Sequence, residues 1–190
     1  MHRILLDNNV IIDIIQETRP LHKVASLIMD DITTGKYEGV IASKSVSDVS
    51  YIYIQDAEHR HPDETRRERA KRIRSLIHDL VVVLDVAPIT KENILEAIDS
   101  SVDDLEDAII ASAAETTSAD LIITSNIKDF VNSPIPAITP TEFLDLCSRD
   151  SVKEDTIMEC ISGPLKTSEF TTEMSSYFEQ PHYKEEDNET

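Results

Sequence analysis

The chain has 190 residues, 40% of them hydrophobic, and a formal net charge of −19 at pH 7. That is enough for one main domain with a buried core and an appendage, and too acidic for a protein that coats DNA through non-specific charge. No stretch reaches the ~18 apolar residues of a membrane span, and Cys147 and Cys160 suit neither a disulfide framework nor a thiolate metal site.

The first element is a buried strand, Ile4 to Asp7, followed at once by a helix whose apolar residues Val10, Ile11, Ile14 and Ile15 recur at helical spacing. Asp7 and Asp13 interrupt this apolar stretch, so no secretory leader is expected and the protein is expected to be cytoplasmic. A second helix opens at Pro20, carries Leu21, Val24, Leu27, Ile28 and Ile32 on one face, and ends at Gly35. Gly39 to Ser43 is a short second strand. Ser45 to Gln55 fits strand or helix, and the Ser45–Asp48 capping-box pattern favours helix. Pro62 opens a long charged helix with Ala70, Ile73, Leu76, Ile77 and Leu80 facing inward, and "VVVLDVA" (Val81 to Ala87) follows as a third strand. Helices over Thr90–Ile98 and Asp104–Thr117 precede a fourth strand, Asp120 to Ser125, and a fifth, Pro136 to Thr139. Thr139, Pro140 and Glu142 open a last helix reaching Cys147.

Alternating strands and helices predict an α/β fold: three layers, α/β/α, around a mostly parallel five-stranded sheet. Ligands of such sheets gather beyond the carboxyl ends of the strands. Asp7 and Asn126 stand at such ends. Residues 1–149 are read as this domain. Residues 150–190 are read as an acidic, largely disordered tail, with ten acids against three lysines after residue 150. Ile157, Met158, Ile161 and Leu165 leave room there for a docking segment.

Five acids lie at element boundaries: Asp7, Asp48, Asp104, Asp107 and Asp129. Each has a structural explanation of its own, as a helix cap or a partner for a helix dipole. As a set they point elsewhere. Carboxylates converging on one cleft repel one another and raise one another's pKa values. A hard divalent cation such as Mg²⁺ or Mn²⁺ relieves that repulsion and can activate water against a phosphodiester.

Four segments in order, "LLDNNVIID" (Leu5–Asp13), "SVSDVSYIY" (Ser45–Tyr53), "DLEDAIIASAA" (Asp104–Ala114) and "TSNIKDF" (Thr124–Phe130), resemble a PIN-domain ribonuclease, especially the VapC-type toxins of toxin–antitoxin pairs. The resemblance spans about residues 2–147, including the closing "SPIPAITPTEFL" (Ser133–Leu144). It implies RNA cleavage dependent on Mg²⁺ or Mn²⁺, with catalytic acids Asp7, Asp48, Asp104 and Asp107 and metal ligands Asp7, Asp104, Asp107 and Asp129. Asn9, Thr124 and Asn126 would support them, Asn9 by orienting Asp7. The implied partners are RNA, a protein antitoxin and a second copy of the chain, with no membrane. Two positions depart from the family pattern: Asp48 stands where Glu is usual, and Asn126 where many relatives carry an acid. The departures keep a second expectation open, a catalytically degenerate PIN domain that binds RNA or protein.

Arg60, Arg66, Arg67, Arg69, Lys71, Arg72 and Arg74 form a basic strip. It is either a solvated helix face or a phosphate-tracking surface, with Arg67, Lys71 and Arg74 as the RNA contacts. Two other enzyme readings fail on the residues. A haloacid-dehalogenase-type phosphatase needs an acid two residues after the first, where this chain has Asn9, and a receiver domain needs an Asp ending the third strand, where Asp85 lies inside it.

Overall fold

The computed structural model describes residues 2–150. Of the expected tail, residues 150–190, all but Asp150 lie outside the described residues. In chain order the elements are β1 (His2–Leu6), α1 (Asn8–Ile15), α2 (His22–Thr33), β2 (Tyr37–Ala42), α3 (Ser43–Arg60), α4 (Arg66–Val83), β3 (Asp85–Ala87), α5 (Lys91–Asp99), α6 (Leu105–Thr116), β4 (Leu121–Ile123), a 3₁₀ turn (Ile127–Phe130), β5 (Ala137–Ile138) and α7 (Pro140–Asp150).

The five strands form one sheet in the order β3-β2-β1-β4-β5, and every pairing is parallel. Side chains alternate across it. Ile4 and Leu6 of β1 face one layer with Ile41, Ile123 and Ile138, covered by α1, α2, α7 and parts of α3 and α4. Leu5 faces the other with Val40, Ile122 and Ala137, covered by the small-residue face of α6, Ala111, Ala113 and Ala114, and by Phe130. α5 packs outside α6 through Ala97, Val102 and Ala108. β1 is central: the chain runs outward from it through β2 to β3 on one side, then crosses back to β4 and β5 on the other. That reversal opens a crevice beyond the carboxyl ends of β1 and β4.

Local expectations failed at four places. "VVVLDVA" is not a seven-residue strand: α4 runs through Val83, and only Asp85–Ala87 pairs in the sheet. A β-branched run fits either state, and the helical packing of Leu76, Ile77 and Leu80 decides it. The Leu84 N–H closes the last turn on the Leu80 carbonyl at 2.8 Å. Helical valines cost only ~0.5 kcal/mol each. Ser45 caps nothing. α3 starts at Ser43, straight off β2, and Ser45 is turned inward and buried. The long charged helix begins at Arg66 rather than Pro62, because Thr65 and Glu68 supply a reciprocal capping box. Asp104 is the N-cap of α6, accepting from the Glu106 N–H at 2.7 Å, so that helix starts at Leu105 rather than at Asp104.

Gly39 lets β2 and its neighbours close up. A Cβ there would lie 2.5 Å from a Leu84 methyl and 2.8 Å from the Ile32 Cδ1, and both side chains are buried. Gly39→Ala should therefore overpack this layer and lower the unfolding free energy by about 1–3 kcal/mol, seen as a lower denaturant midpoint at unchanged slope. An unchanged midpoint would mean that the two side chains reorient freely.

Candidate active site

β1 ends by passing its chain directly into α1. The Asp7 N–H still bonds the Ile123 carbonyl of β4 at 3.0 Å, while the Asp7 side chain caps α1 by accepting the Asn8 N–H at 2.6 Å. The carboxylate is thus held at the switch point, only 5% exposed. Its second oxygen accepts from the Thr124 hydroxyl at 2.8 Å and from Asn9 Nδ2 at 2.5 Å. Asn9 Nδ2 also reaches Thr124 Oγ1 at 3.1 Å, and Asn9 Oδ1 accepts the Ser125 N–H at 2.9 Å. The Asn126 N–H donates to Thr124 Oγ1 at 3.0 Å. One small network therefore locks the end of β1 to the loop after β4, with Asn9 and Thr124 both donating to the Asp7 carboxylate.

Burial pushes the Asp7 carboxyl above its usual range; the Glu106 charge adds to this, and the hydrogen bonds from Thr124, Asn8 and Asn9 oppose it. Asp107 is raised further, to about 7. Desolvation is the largest cause, and the charges of Asp7, Asp129, Asp104 and Glu106 follow. Asp7, Asp104, Asp107 and Asp129 therefore do share one electrostatic neighbourhood, at the first turn of α6 and the ends of β1 and β4.

The other expected residues are placed differently. Asp48 accepts from Lys44 Nζ at 2.5 Å and from Asn8 Nδ2 at 3.2 Å. The Asn126 side-chain amide donates to Asp129. Glu106, Lys44 and Asn8 were not singled out from the sequence. A Glu in a first helical turn reads as a dipole partner, and nothing local shows that it meets α3. In the basic strip, Arg60 pairs with Asp56, Arg69 with Glu58 and Arg72 with Glu64. Arg67, Lys71 and Arg74 are exposed on one side of α4, and no carboxylate pairs with them among the described residues. No hydrogen bond or ion pair there joins them to the acid cluster.

The donor set is carboxylate oxygen throughout, which suits Mg²⁺ or Mn²⁺. Among the described residues no group of three or more such side chains is drawn tightly enough to hold an ion as placed. The fit is therefore one of chemistry and charge: four acids around a group that retains a proton near neutrality.

The PIN domain family model matches residues 3–128. The chain belongs to the PIN-domain family. Among its relatives is ribonuclease VapC1 of Aquifex aeolicus (strain VF5), 26% identical over 148 residues, covering 75% of this chain and 94% of that protein. The PIN fold also aligns with solved structures. One is VapBC2 from Rickettsia felis bound to a DNA fragment from its promoter, with TM-score 0.52 and 14% identity over 72% of this chain and 98% of that one. Another is a toxin–antitoxin complex from Klebsiella pneumoniae, with TM-score 0.50 and 20% identity over 72% and 97%. Among the described residues of this PIN domain, no helix is long and apolar enough to cross a membrane.

The raised carboxyls set the pH response of the metal-free chain. The folded state keeps a proton on Asp107 that the unfolded state releases above about 4. Stability from this group is full below that pH and is lost as pH rises through about 7. Melting temperature should therefore fall across that window, and Mn²⁺ should restore it most at the alkaline end. A melting curve flat between pH 4 and 8 would contradict the clustering. Thr124→Val removes one donor from buried Asp7 and should cost about 1–3 kcal/mol at neutral pH, with less effect at pH 4.

Proposed function

We propose that this PIN domain is a divalent-metal-dependent endoribonuclease acting as the toxin of a toxin–antitoxin pair. The observation that carries the reading is the convergence on Asp107 of the charges of Asp7, Asp129 and Asp104 at the strand ends. A fold that only needed helix caps has no use for that repulsion. Bound Mg²⁺ or Mn²⁺ would lower the pKa of a coordinated water and neutralise charge on a phosphodiester.

The chain's own residues supply the rest. Asp7, Asp104, Asp107 and Asp129 present oxygens from three separate elements. Thr124 and Asn9 keep the Asp7 carboxylate in one orientation while it is buried. The exposed cations of α4 suit the phosphates of a single-stranded substrate. Likeness to ribonuclease VapC1 supports RNA as the substrate. The fold shared with solved toxin–antitoxin assemblies supports a protein antitoxin as partner.

Asp7→Asn tests the centre. Asn still caps a helix, so the fold should persist, while RNA cleavage and Mn²⁺-induced stabilisation should both largely disappear. EDTA should abolish cleavage by the unmodified chain. Absence of both cleavage and a Mn²⁺ response in the unmodified chain would instead favour a non-cutting RNA- or protein-binding module. Changing Arg67, Lys71 and Arg74 to Glu should weaken RNA binding and reduce its salt slope by roughly 0.7 per lost phosphate contact; an unchanged slope would make α4 an ordinary solvated face.

A further inference from the structure

Lys44 stands in the first turn of α3 and is about a third exposed, with a side-chain relative accessibility of 32%. Its Nζ bonds Asp48 Oδ2 and Glu106 Oε1, both at 2.5 Å. Asn8 Nδ2 bonds the same two oxygen atoms, at 3.2 and 3.1 Å. Two donors and two acceptors thus close a square that joins α1, α3 and α6. The square abuts the acid cluster on both sides, because Asn8 follows Asp7 and Glu106 precedes Asp107. The Asn8 amide brings no charge. Lys44 is therefore the only cation bonded to this carboxylate pair among the described residues. Burial opposes its charge, but the bonds and charges of Asp48 and Glu106 outweigh burial and hold its pKa above the usual lysine range.

We propose that the Lys44 ammonium is a resident cation of the cleft, holding the Asp48–Glu106 pair where a second divalent ion would otherwise bind. The chain is then a one-metal site, with Asp7, Asp104, Asp107 and Asp129 as its ligand set. This rests on the ribonuclease reading for its first metal. A second divalent ion held by this pair would need the same Asp48 and Glu106 oxygens that Lys44 Nζ and Asn8 Nδ2 already engage. An ammonium there supplies a fixed positive charge beside the substrate phosphate without exchanging with solvent ions. It also accounts for Asp48, whose carboxylate is engaged with Lys44 and Asn8. Lys44 and Asp48 are then positioning residues, not metal ligands.

The test is the Mn²⁺ stoichiometry of the full chain at neutral pH, followed by the electron paramagnetic resonance signal of free Mn²⁺. The unmodified chain should bind one equivalent. Lys44→Met should bind two, because the freed Asp48–Glu106 pair carries two uncompensated charges. Lys44→Arg should stay at one, and adding Asp48→Asn and Glu106→Gln to Lys44→Met should return it to one. Lys44→Gln, with its fold checked by circular dichroism, replaces Lys44→Met if that variant unfolds. One equivalent in both the unmodified chain and Lys44→Met overturns this proposal alone, as do two in the unmodified chain. None in the unmodified chain overturns the metal reading together with it.

Discussion

A carboxylate buried at the end of a central strand must be surrounded by donors, and that requirement organises this molecule. Asp7 is 5% exposed and would be untenable as an anion without the Asn8 N–H, the Asn9 amide and the Thr124 hydroxyl. Each donor constrains an element. Asn8 starts α1, Asn9 sits in its first turn, and Thr124 directly follows β4. Placing Asp7 therefore also sets the register of β1 against β4, in which Leu6 lies opposite Ile123. Site and sheet are stabilised by the same few bonds.

The second constraint is repulsion. Asp104 caps α6 and Asp107 follows in its first turn, so one helix start brings both toward Asp7. A helix N-terminus favours one negative charge, but Asp107 also meets the charges of Asp7 and Asp129, and its proton is held to about pH 7. Around this core the chain sets its own countercharges unevenly. Lys44 offsets one of the two charges of the outer pair, Asp48 and Glu106, while the inner acids have no lysine or arginine partner among the described residues. Compensation at the rim and excess charge at the centre is a distribution that favours a small, highly charged cation over a protein side chain.

The α3–α4 pair shows how the fold separates duties. α3 leaves the carboxyl end of β2 and places Lys44 and Asp48 beside the cleft in its first turn and a half, and the rest of its length carries it away. α4 returns the chain to β3, with Leu80 packed in the core and Arg67, Lys71 and Arg74 left exposed. Arg69 and Arg72 of α4 pair with Glu58 of α3 and Glu64 of the intervening turn, and Arg60 pairs with Asp56 within α3. A run that reads as one basic strip thus divides into structural and available cations.

Sequence alone determined whatever depends on periodicity and on near neighbours. Alternating apolar runs set the order of strands and helices, and Asp7 followed by Asn8 and Asn9 marked the end of the first strand. The spacing of Asp104 and Asp107 put both at one helix start. It did not determine where a pattern admits two states, as in Val81–Val83, whose helical form follows from the packing of Leu80 several residues earlier. Nor could it separate Ser45 from a cap, because S-x-x-D is also one turn of an uninterrupted helix. Tertiary structure alone decided that Asp48 faces Lys44 and Asn8, and that Glu106 meets the same donors from 62 and 98 residues away in the chain. Those contacts exist because α1, α3 and α6 converge at the switch point of the sheet, and no short-range pattern encodes the meeting of side chains on separate helices.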